Sequence, residues 1–180
     1  GLVQVIDPVD ITAVVNVGDD SVLHGLEISP DLDTITYTLA GAIDTARGWG
    51  LAGETWQAMD QVHRYAESAG IDPRAEVGND AAGWFALGDR DLGTHLYRTS
   101  RRRAGATLSQ VTAEIAGAWG LELTVLPATD DPVRTRLTTT DGEELAFQEY
   151  FVREHHDVSV RSVRVQGADR AAPAPGVLDA

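Results

Sequence analysis

Residues 11–17 show the strongest strand pattern in the chain, because they are almost continuously apolar and rich in β-branched side chains. A run of this kind without alternation is typical of a parallel strand that is covered on both faces. Further strands are predicted at residues 121–126 and 158–165. A β-hairpin is predicted over residues 133–147, with its turn at Asp141-Gly142.

The helical spacing of apolar residues predicts four helices among these strands. Ser29 and Pro30 suit the N-cap and the first position of one helix, and Thr107 with Gln110 forms the capping-box pattern of another. The predicted helices cover residues 30–41, 54–69, 89–103 and 107–120, and the predicted loops include residues 44–53 and 70–82.

The alternation of strands and helices indicates an α/β domain. We expect residues 1–180 to form a single domain with a mostly parallel sheet, flanking helices and the β-hairpin as an insertion. A chain of 180 residues is long enough for a substantial core. It enters a buried-type strand soon after Gly1 and ends on a helix-like start at Gly176. We therefore expect it to be the middle part of a longer protein, truncated at both ends.

Acidic residues cluster where predicted strands end or helices begin. They are Asp19 and Asp20 after the first strand, Asp31 and Asp33 in the first helix, Asp89 and Asp91 after a short apolar run at residues 84–87, and Asp130 and Asp131 after the strand at 121–126. Ligands of open α/β sheets bind at the carboxyl ends of strands, so these loops predict one acidic rim that could hold Mg²⁺. The alternative is that Asp19 and Asp20 are turn residues and that Asp31 is a first-turn charge favoured by the helix dipole.

The segment from Gly88 to His95 is a second candidate site. Arg90 could hold a phosphate or a polar ring edge with two hydrogen bonds, and His95 follows Asp91 by one helical turn. The alternative is a helix N-terminus with favourable acidic residues and an arginine that pairs with a neighbour.

Three other clusters are weaker candidates. The first cluster could line a pocket for a flat ring or belong to the core, and consists of Trp49, Trp56, Trp84 and Phe85. The arginine run Arg101–Arg103 is predicted to be a solvated helix end. The pair His155-His156 is predicted to be a surface feature, since adjacent side chains on a strand point to opposite faces.

The chain has a net charge of −14, with 28 acidic and 14 basic residues, and every basic residue is Arg. This charge repels nucleic acid, and an anionic substrate would need a metal ion or a focused set of arginines. The lack of Lys excludes a lysine nucleophile, and the lack of Cys excludes disulfides and thiolate metal sites. Without a long apolar run or a signal-peptide pattern, we expect a cytoplasmic protein that contacts no membrane.

Seven segments, taken in order, resemble the 2-phospho-L-lactate transferase family of coenzyme F-420 biosynthesis, including its phosphoenolpyruvate-transferring branch. They are Val-Val-Asn-Val-Gly-Asp-Asp (14–20), Ser-Pro-Asp-Leu-Asp-Thr (29–34), Arg-Gly-Trp-Gly (47–50), Leu-Gly-Asp-Arg-Asp-Leu-Gly-Thr-His (87–95), Leu-Pro-Ala-Thr-Asp-Asp-Pro-Val (126–133), Phe-Gln-Glu-Tyr-Phe-Val (147–152) and Pro-Gly-Val-Leu-Asp-Ala (175–180). Each segment alone is weak, but together they span essentially the whole chain.

The resemblance implies a Rossmann-like fold, a Mg²⁺-dependent transfer reaction and a homodimer in the complete protein. The donor is a guanosine diphosphate ester of 2-phospholactate or of its enol counterpart, and the acceptor is the deazaflavin Fo. The terminal ribityl hydroxyl of Fo attacks the phosphorus that bears the three-carbon acid, and GMP leaves. The sequence does not distinguish the two donors.

The resemblance also assigns roles to the two candidate sites. Asp19 and Asp33 are expected to be catalytic, as ligands of the metal or of the reacting hydroxyl. The expected metal site consists of Asp19, Asp20, Asp31 and Asp33. The expected Fo site consists of Asp33 and Arg90, which match the family's Fo-contacting positions best, with Asp89, Asp91 and His95.

Two parts of the family pattern are absent, namely a Gly-rich phosphate loop before residue 11 and a later Ser-Asn-Pro loop with further βα units. We therefore expect a fold that is incomplete relative to the family, and a chain that is weak or inactive alone. The alternative function is a non-enzymatic sugar-nucleotide-binding regulator of the same superfamily, which shares the Asn-x-Gly-Asp-Asp element. Those regulators continue with a Gly/Ser-rich stretch, whereas Ser21-Val22-Leu23 follows here, which favours the transferase.

Overall fold

A parallel pair of strands positions the acidic loops. In the computed structural model, which describes residues 2–71 and 87–180, β1 (Thr12–Val15) pairs in parallel with β4 (Thr124–Pro127). The α/β class with parallel strands and flanking helices is therefore confirmed. In the described part of the chain, parallel pairing is confined to these two strands, and the remaining strand pairs are antiparallel.

The four predicted helices are confirmed, with ends that differ from the prediction by a few residues. At the start of the last one, the Thr107 hydroxyl accepts from the Gln110 amide at 3.2 Å, and the Gln110 side chain accepts from the Thr107 amide at 2.9 Å, which completes the capping box. The helices are α1 (Pro30–Leu39), α2 (Gln57–Ser68), α3 (Asp89–Arg103) and α4 (Leu108–Ala118).

The main core lies on one face of β1. Val15 and Val17 are buried against Leu32 of α1 and Leu108 of α4. Val14 points to the opposite face and is 45% exposed. The prediction that this strand is covered on both faces is therefore wrong for the described residues, because α1 and α4 both contribute to a core on the Val15 side.

A three-stranded antiparallel sheet contains the predicted hairpin, which is confirmed. Its central strand is β5 (Arg134–Thr139), flanked by β6 (Glu144–Ala146) and β7 (Val160–Gln166). Gly142 occupies the turn with a φ of 93°, a conformation that favours glycine. The start of β5 is tied to the loop after β1, because the Thr135 amide donates to the Gly18 carbonyl at 2.6 Å.

A second hairpin, between the first two acidic clusters, was not predicted. Strands β2 (Ser21–Leu23) and β3 (Leu26–Ile28) pair in antiparallel register, with Ser21 opposite Ile28. His24 and Gly25 form the connection with φ values of 53° and 73°, as in a two-residue turn with two left-handed residues. This register brings the residue before β2 next to the residue after β3.

Some of the predicted features lie outside the described residues. The apolar run at 84–87 is described only at Leu87, and the predicted loop at 70–82 only at residues 70 and 71. Trp84 and Phe85 also lie outside the described residues. Among the helices that are described, none has the length and apolarity needed to cross a bilayer.

Candidate functional site

The unpredicted hairpin positions Asp20. Because Ser21 pairs with Ile28, Asp20 lies beside Ser29, and the Ser29 hydroxyl donates to its carboxylate at 2.9 Å. Burial raises the pKa of Asp20 to about 7, against the lowering effects of the Ser29 hydrogen bond and of the Arg98 and Arg134 charges. Asp20 is therefore a largely buried carboxyl at the carboxyl end of β1.

Asp19 and Asp31 form a second group on this rim, organised by Asn16. The Asn16 side chain donates to Asp31 at 2.8 Å and accepts from the Gly18 amide at 2.9 Å. Burial raises the pKa of Asp19, and the charge of Asp31 raises it further, while hydrogen bonds from Thr135 and Asn16 oppose both effects. The two carboxylates are therefore close enough to repel each other.

Asp33, two residues after Asp31 in α1, forms a buried ion pair that was not predicted from the sequence. Arg98 binds its carboxylate through both terminal nitrogens and also donates to the Glu27 carbonyl at 3.3 Å. Only 2% of Arg98 and 7% of Asp33 are exposed. Arg98 follows His95 by three residues on α3, so both lie on one helix face. This spacing is the signal by which Arg98 could have been assigned to the site of His95.

His95 completes this buried group as a neutral ring. Its Nδ1 atom lies 3.3 Å from Arg98 and 3.8 Å from Asp33. Burial lowers the pKa of His95 to about 4, with a further lowering by Arg98 and an opposing effect of Asp33. His95 therefore adds no charge to the ion pair of Arg98 and Asp33 at neutral pH.

Asp91 occupies the first turn of α3 near Asp33. Burial raises its pKa to about 6, and the charges of Asp33 and Glu54 add to this against a hydrogen bond from Tyr37. One carboxylate oxygen is buried and has no hydrogen-bond partner among the described residues. The Tyr37 hydroxyl also lies 2.8 Å from the Thr94 hydroxyl, so Asp91 belongs to a polar contact between α1 and α3.

Asp91→Asn should change how stability depends on pH. Because the folded-state pKa of about 6 exceeds the ordinary value of 3.8, the folded protein binds more protons at Asp91 than the unfolded chain between these pH values. The free energy of unfolding from Asp91 therefore falls as pH rises from about 4 to about 6. Urea titrations over this range should show a flatter decline for the variant. Asp141→Asn, in the exposed hairpin turn, is the control and should follow the wild type.

Asp89 and Glu54 cap two helices reciprocally. Asp89 accepts from the Thr55 hydroxyl at 2.5 Å and from the Gln57 and Ala58 amides at 3.0 Å, at the start of α2. Glu54 accepts from the Arg90 and Asp91 amides, both at 2.9 Å, at the start of α3. The Arg90 guanidinium donates to the Ala52 carbonyl. Asp89 and Arg90 thus lie at the start of α3, as predicted. Asp89 binds the start of α2, and Arg90 binds the loop before α2.

Glu54→Ala should destabilise the fold by about 1 kcal/mol, because it leaves two amides of the first turn of α3 without their acceptor. For a domain of this size, that corresponds to a fall in melting temperature of about 2–4 °C. Gly88→Ala should act in the same direction, since its Cβ would lie 2.4 Å from the Glu54 carboxyl carbon. Glu67→Ala, on the exposed surface of α2, is the control for thermal melts; an equal fall there would argue against the cap.

The tryptophans of the predicted ring pocket flank a cation. The Arg47 guanidinium lies 5.2 Å from the Trp49 ring centre and 5.1 Å from the Trp56 ring centre. Arg47 is also paired with Asp44 at 3.0 Å. Trp49 remains 50% exposed, so this stack borders solvent and is not part of the core.

The acidic loops of the two parallel strands meet at one cleft, as the sequence predicted. A cleft of about 210 Å³ opens at the carboxyl ends of β1 and β4 and is lined by Asp20, Asp130 and Asp131, among others. Arg134, which the sequence analysis also missed, faces it from the start of β5. Within residues 2–71 and 87–180, no group of three or more Asp, Glu, His or Cys side chains is arranged as a ready-made metal site.

Comparisons with known proteins agree with the resemblance of the sequence. The family model described as 2-phospho-L-lactate transferase CofD matches residues 1–180. The chain is 43% identical over 185 residues to the phosphoenolpyruvate transferase of Nocardia farcinica, covering 99% of this chain and 52% of that protein. It is 45% identical over 179 residues to the phosphoenolpyruvate transferase of Mycobacterium sp. (strain JLS), covering 97% and 50%.

The solved structures add a likeness of fold. A UPF0052 family member from Bacillus halodurans matches with a TM-score of 0.50 and 15% identity, covering 94% of this chain and 47% of that one. The chain spans about half the length of the curated relatives it matches. Since the family model covers every residue, the chain belongs to the 2-phospho-L-lactate transferase CofD family.

Proposed function

We propose that this chain is the acceptor side of a transferase that moves a phosphoenolpyruvyl or 2-phospholactyl group from a guanosine diphosphate donor to Fo, with release of GMP. Family membership supports the reaction class, and the relatives are named phosphoenolpyruvate transferases. The observation that supports it most is the acidic rim at the end of β1, where Asp20 lines the cleft and the neighbouring Asp19 lies close to Asp31. Displacement at a diphosphate needs positive charge to offset the charge of the reacting phosphates, and carboxylates can hold a cation that supplies it.

Asp19 and Asp31 are the residues best suited to hold Mg²⁺ on this rim. They repel each other, and no described arginine lies within ion-pair distance of either. Mg²⁺ is commonly held by one or two carboxylates together with substrate phosphates. Bound there, it supplies the charge that offsets the phosphates. Asp20 stands beside them in a hydrogen bond with Ser29, and Asp33 anchors α1 through Arg98.

The first turns of α3 form the proposed Fo site. Arg90 is exposed at the start of the helix, and Asp91 has a buried oxygen without a described partner. His95 is a neutral ring at pH 7 because of its lowered pKa. In the reaction, the ribityl oxygen bonds to phosphorus, the bond from phosphorus to the GMP oxygen breaks, and the hydroxyl proton passes to a carboxylate of the rim.

Transfer can be tested with Fo, the guanylated donor and Mg²⁺, by following the coupled deazaflavin product and GMP by chromatography. We expect product from a full-length relative and little or none from this chain alone, which covers about half of that length. Quenching of Fo fluorescence by this chain should still report acceptor binding. Binding of a uridine diphosphate sugar without any effect on Fo would instead support the regulator.

A further inference from the structure

Most polar groups that line the cleft are already engaged with the protein. Glu27 pairs with Arg102 at 3.3 Å, and Arg102 also donates to the Ala106 carbonyl at 3.0 Å. Asp130 accepts from the amide and hydroxyl of Ser109 at 2.6 and 2.8 Å, at the start of α4. Asp131 accepts from the Ala172 amide at 2.8 Å. These contacts hold the side chains that line the cleft and use much of the bonding capacity of their carboxylates.

Arg134 is the exception on this surface. Its guanidinium donates to the carbonyl of Val133 at 2.7 Å, and no carboxylate among the described residues lies within ion-pair distance of it. Arg102, the other arginine of the cleft, is neutralised by Glu27. A guanidinium has five N–H donors, so most of the donors of Arg134 remain free for a ligand.

The backbone of Arg134 is fixed from two sides. The next residue, Thr135, donates its amide to Gly18 at 2.6 Å, which ties β5 to the loop of Asp19 and Asp20. Arg134 itself pairs with Gln166 of β7. The following Gly167 passes so close to Pro132 that a Cβ there would lie 2.6 Å from the Pro132 carbonyl oxygen. The side chain therefore starts from a defined point beside the acidic rim.

We propose that Arg134 binds the anionic group of the substrate, a phosphate or a carboxylate, beside the acidic rim. This inference rests on the proposed function, in which an anionic substrate meets a chain with a net charge of −14. A planar guanidinium binds the oxygens of a phosphate or a carboxylate through two parallel hydrogen bonds. Because the chain has no lysine, the positive charge for an anionic ligand must also come from arginine. Arg134 provides this fork at the carboxyl ends of the parallel strands, where ligands of such sheets bind.

The test is anion binding by this chain in the presence of Mg²⁺, measured by calorimetry with phosphoenolpyruvate, inorganic phosphate and pyruvate. Arg134→Gln should weaken binding of the best probe about 10- to 100-fold, as expected for the loss of hydrogen bonds to a charged group. Arg134→Lys keeps the charge but not the fork and should give an intermediate affinity. Arg136→Gln, two residues along β5 and outside the cleft, should stay within about twofold of wild type.

Preference for phosphate or for pyruvate identifies which anionic group Arg134 binds, and either result supports the inference. It is overturned if Arg134→Gln binds like wild type, if Arg136→Gln weakens binding equally, or if the wild-type chain binds none of the probes. Transfer to Fo by a relative that tolerates the equivalent substitution would remove the inference and leave the proposed function. Anion binding that depends on Arg134, together with no transfer to Fo by the full-length relative, would support the inference and argue against the proposed function.

Discussion

Arg98→Met is expected to lower the free energy of unfolding by about 3–5 kcal/mol, which is typical when one partner of a buried ion pair is removed. For a chain of this length, the melting temperature should fall by about 6–20 °C. The reason lies in the surroundings of Asp33, which is 7% exposed and bound by Arg98 through both terminal nitrogens. Without Arg98, the Asp33 carboxylate must take up a proton or admit water.

A matched control lies on the same helix. Arg101 binds Glu114 at 2.6 Å, a similarly close pair, but its side chain is 40% exposed and that of Glu114 is 33% exposed. Arg101→Met should therefore cost much less than Arg98→Met, because water solvates the carboxylate that is left behind. The double variant Arg98→Met/Asp33→Leu should recover part of the loss, since neither charge of the buried pair remains. Equal melting temperatures for the two single variants would refute this account of Asp33.

Local signals in the sequence were sufficient for most of the secondary structure. The capping box of Thr107 and Gln110, the Asp141-Gly142 turn and the continuous β-branched run at residues 11–17 each depend on neighbouring residues. These patterns predicted α4, the β5–β6 hairpin and β1 correctly. The coverage of β1 depended on elements distant in sequence, and there the prediction was wrong for the part of the chain that the structure describes.

The acidic rim was predicted only in part from the sequence. The convergence of the loops after β1 and β4 followed from the parallel pairing and was confirmed. The hairpin at His24-Gly25 was missed, because its strands have three residues each and show little alternation. That hairpin decides which acid meets Ser29, so the environment of Asp20 could not be predicted without it.

The hydrogen-bond partners of these acids could not be predicted from the sequence either. Asp33 is paired with Arg98, 65 residues away, and Asp89 accepts from Ala58, 31 residues away. Neither contact follows from spacing along one helix. The sequence thus indicated which acids lie near the carboxyl ends of the strands. The fold separates Asp33 and Asp89, which an arginine and helix-start amides bind, from Asp19 and Asp31, whose hydrogen-bond partners are neutral side chains.

This separation leads to the second large effect, which is expected at Asp19. Asp19→Asn should lower the transfer rate of a full-length relative about 10²- to 10³-fold at the equivalent position, because a metal contributes several kcal/mol of charge stabilisation and each 1.36 kcal/mol is a factor of ten. The amide keeps the shape of the side chain and one oxygen that can accept from Asn16 or Thr135, but it removes the charge. A loss of rate without a loss of stability is therefore expected.

A measurement without turnover separates metal binding from other roles of Asp19. Manganese can replace Mg²⁺ at oxygen ligands, and its electron paramagnetic resonance signal reports the bound fraction on this chain. Asp19→Asn and Asp31→Asn should each weaken Mn²⁺ binding at least about tenfold, whereas Asp141→Asn in the exposed hairpin turn should not. Asp33→Asn should affect binding less than either, because its carboxylate is already held by Arg98. If Asp33→Asn abolished Mn²⁺ binding while Asp31→Asn left it intact, the metal would belong at Asp33 instead, and the Arg98 ion pair would have to open for the metal to bind.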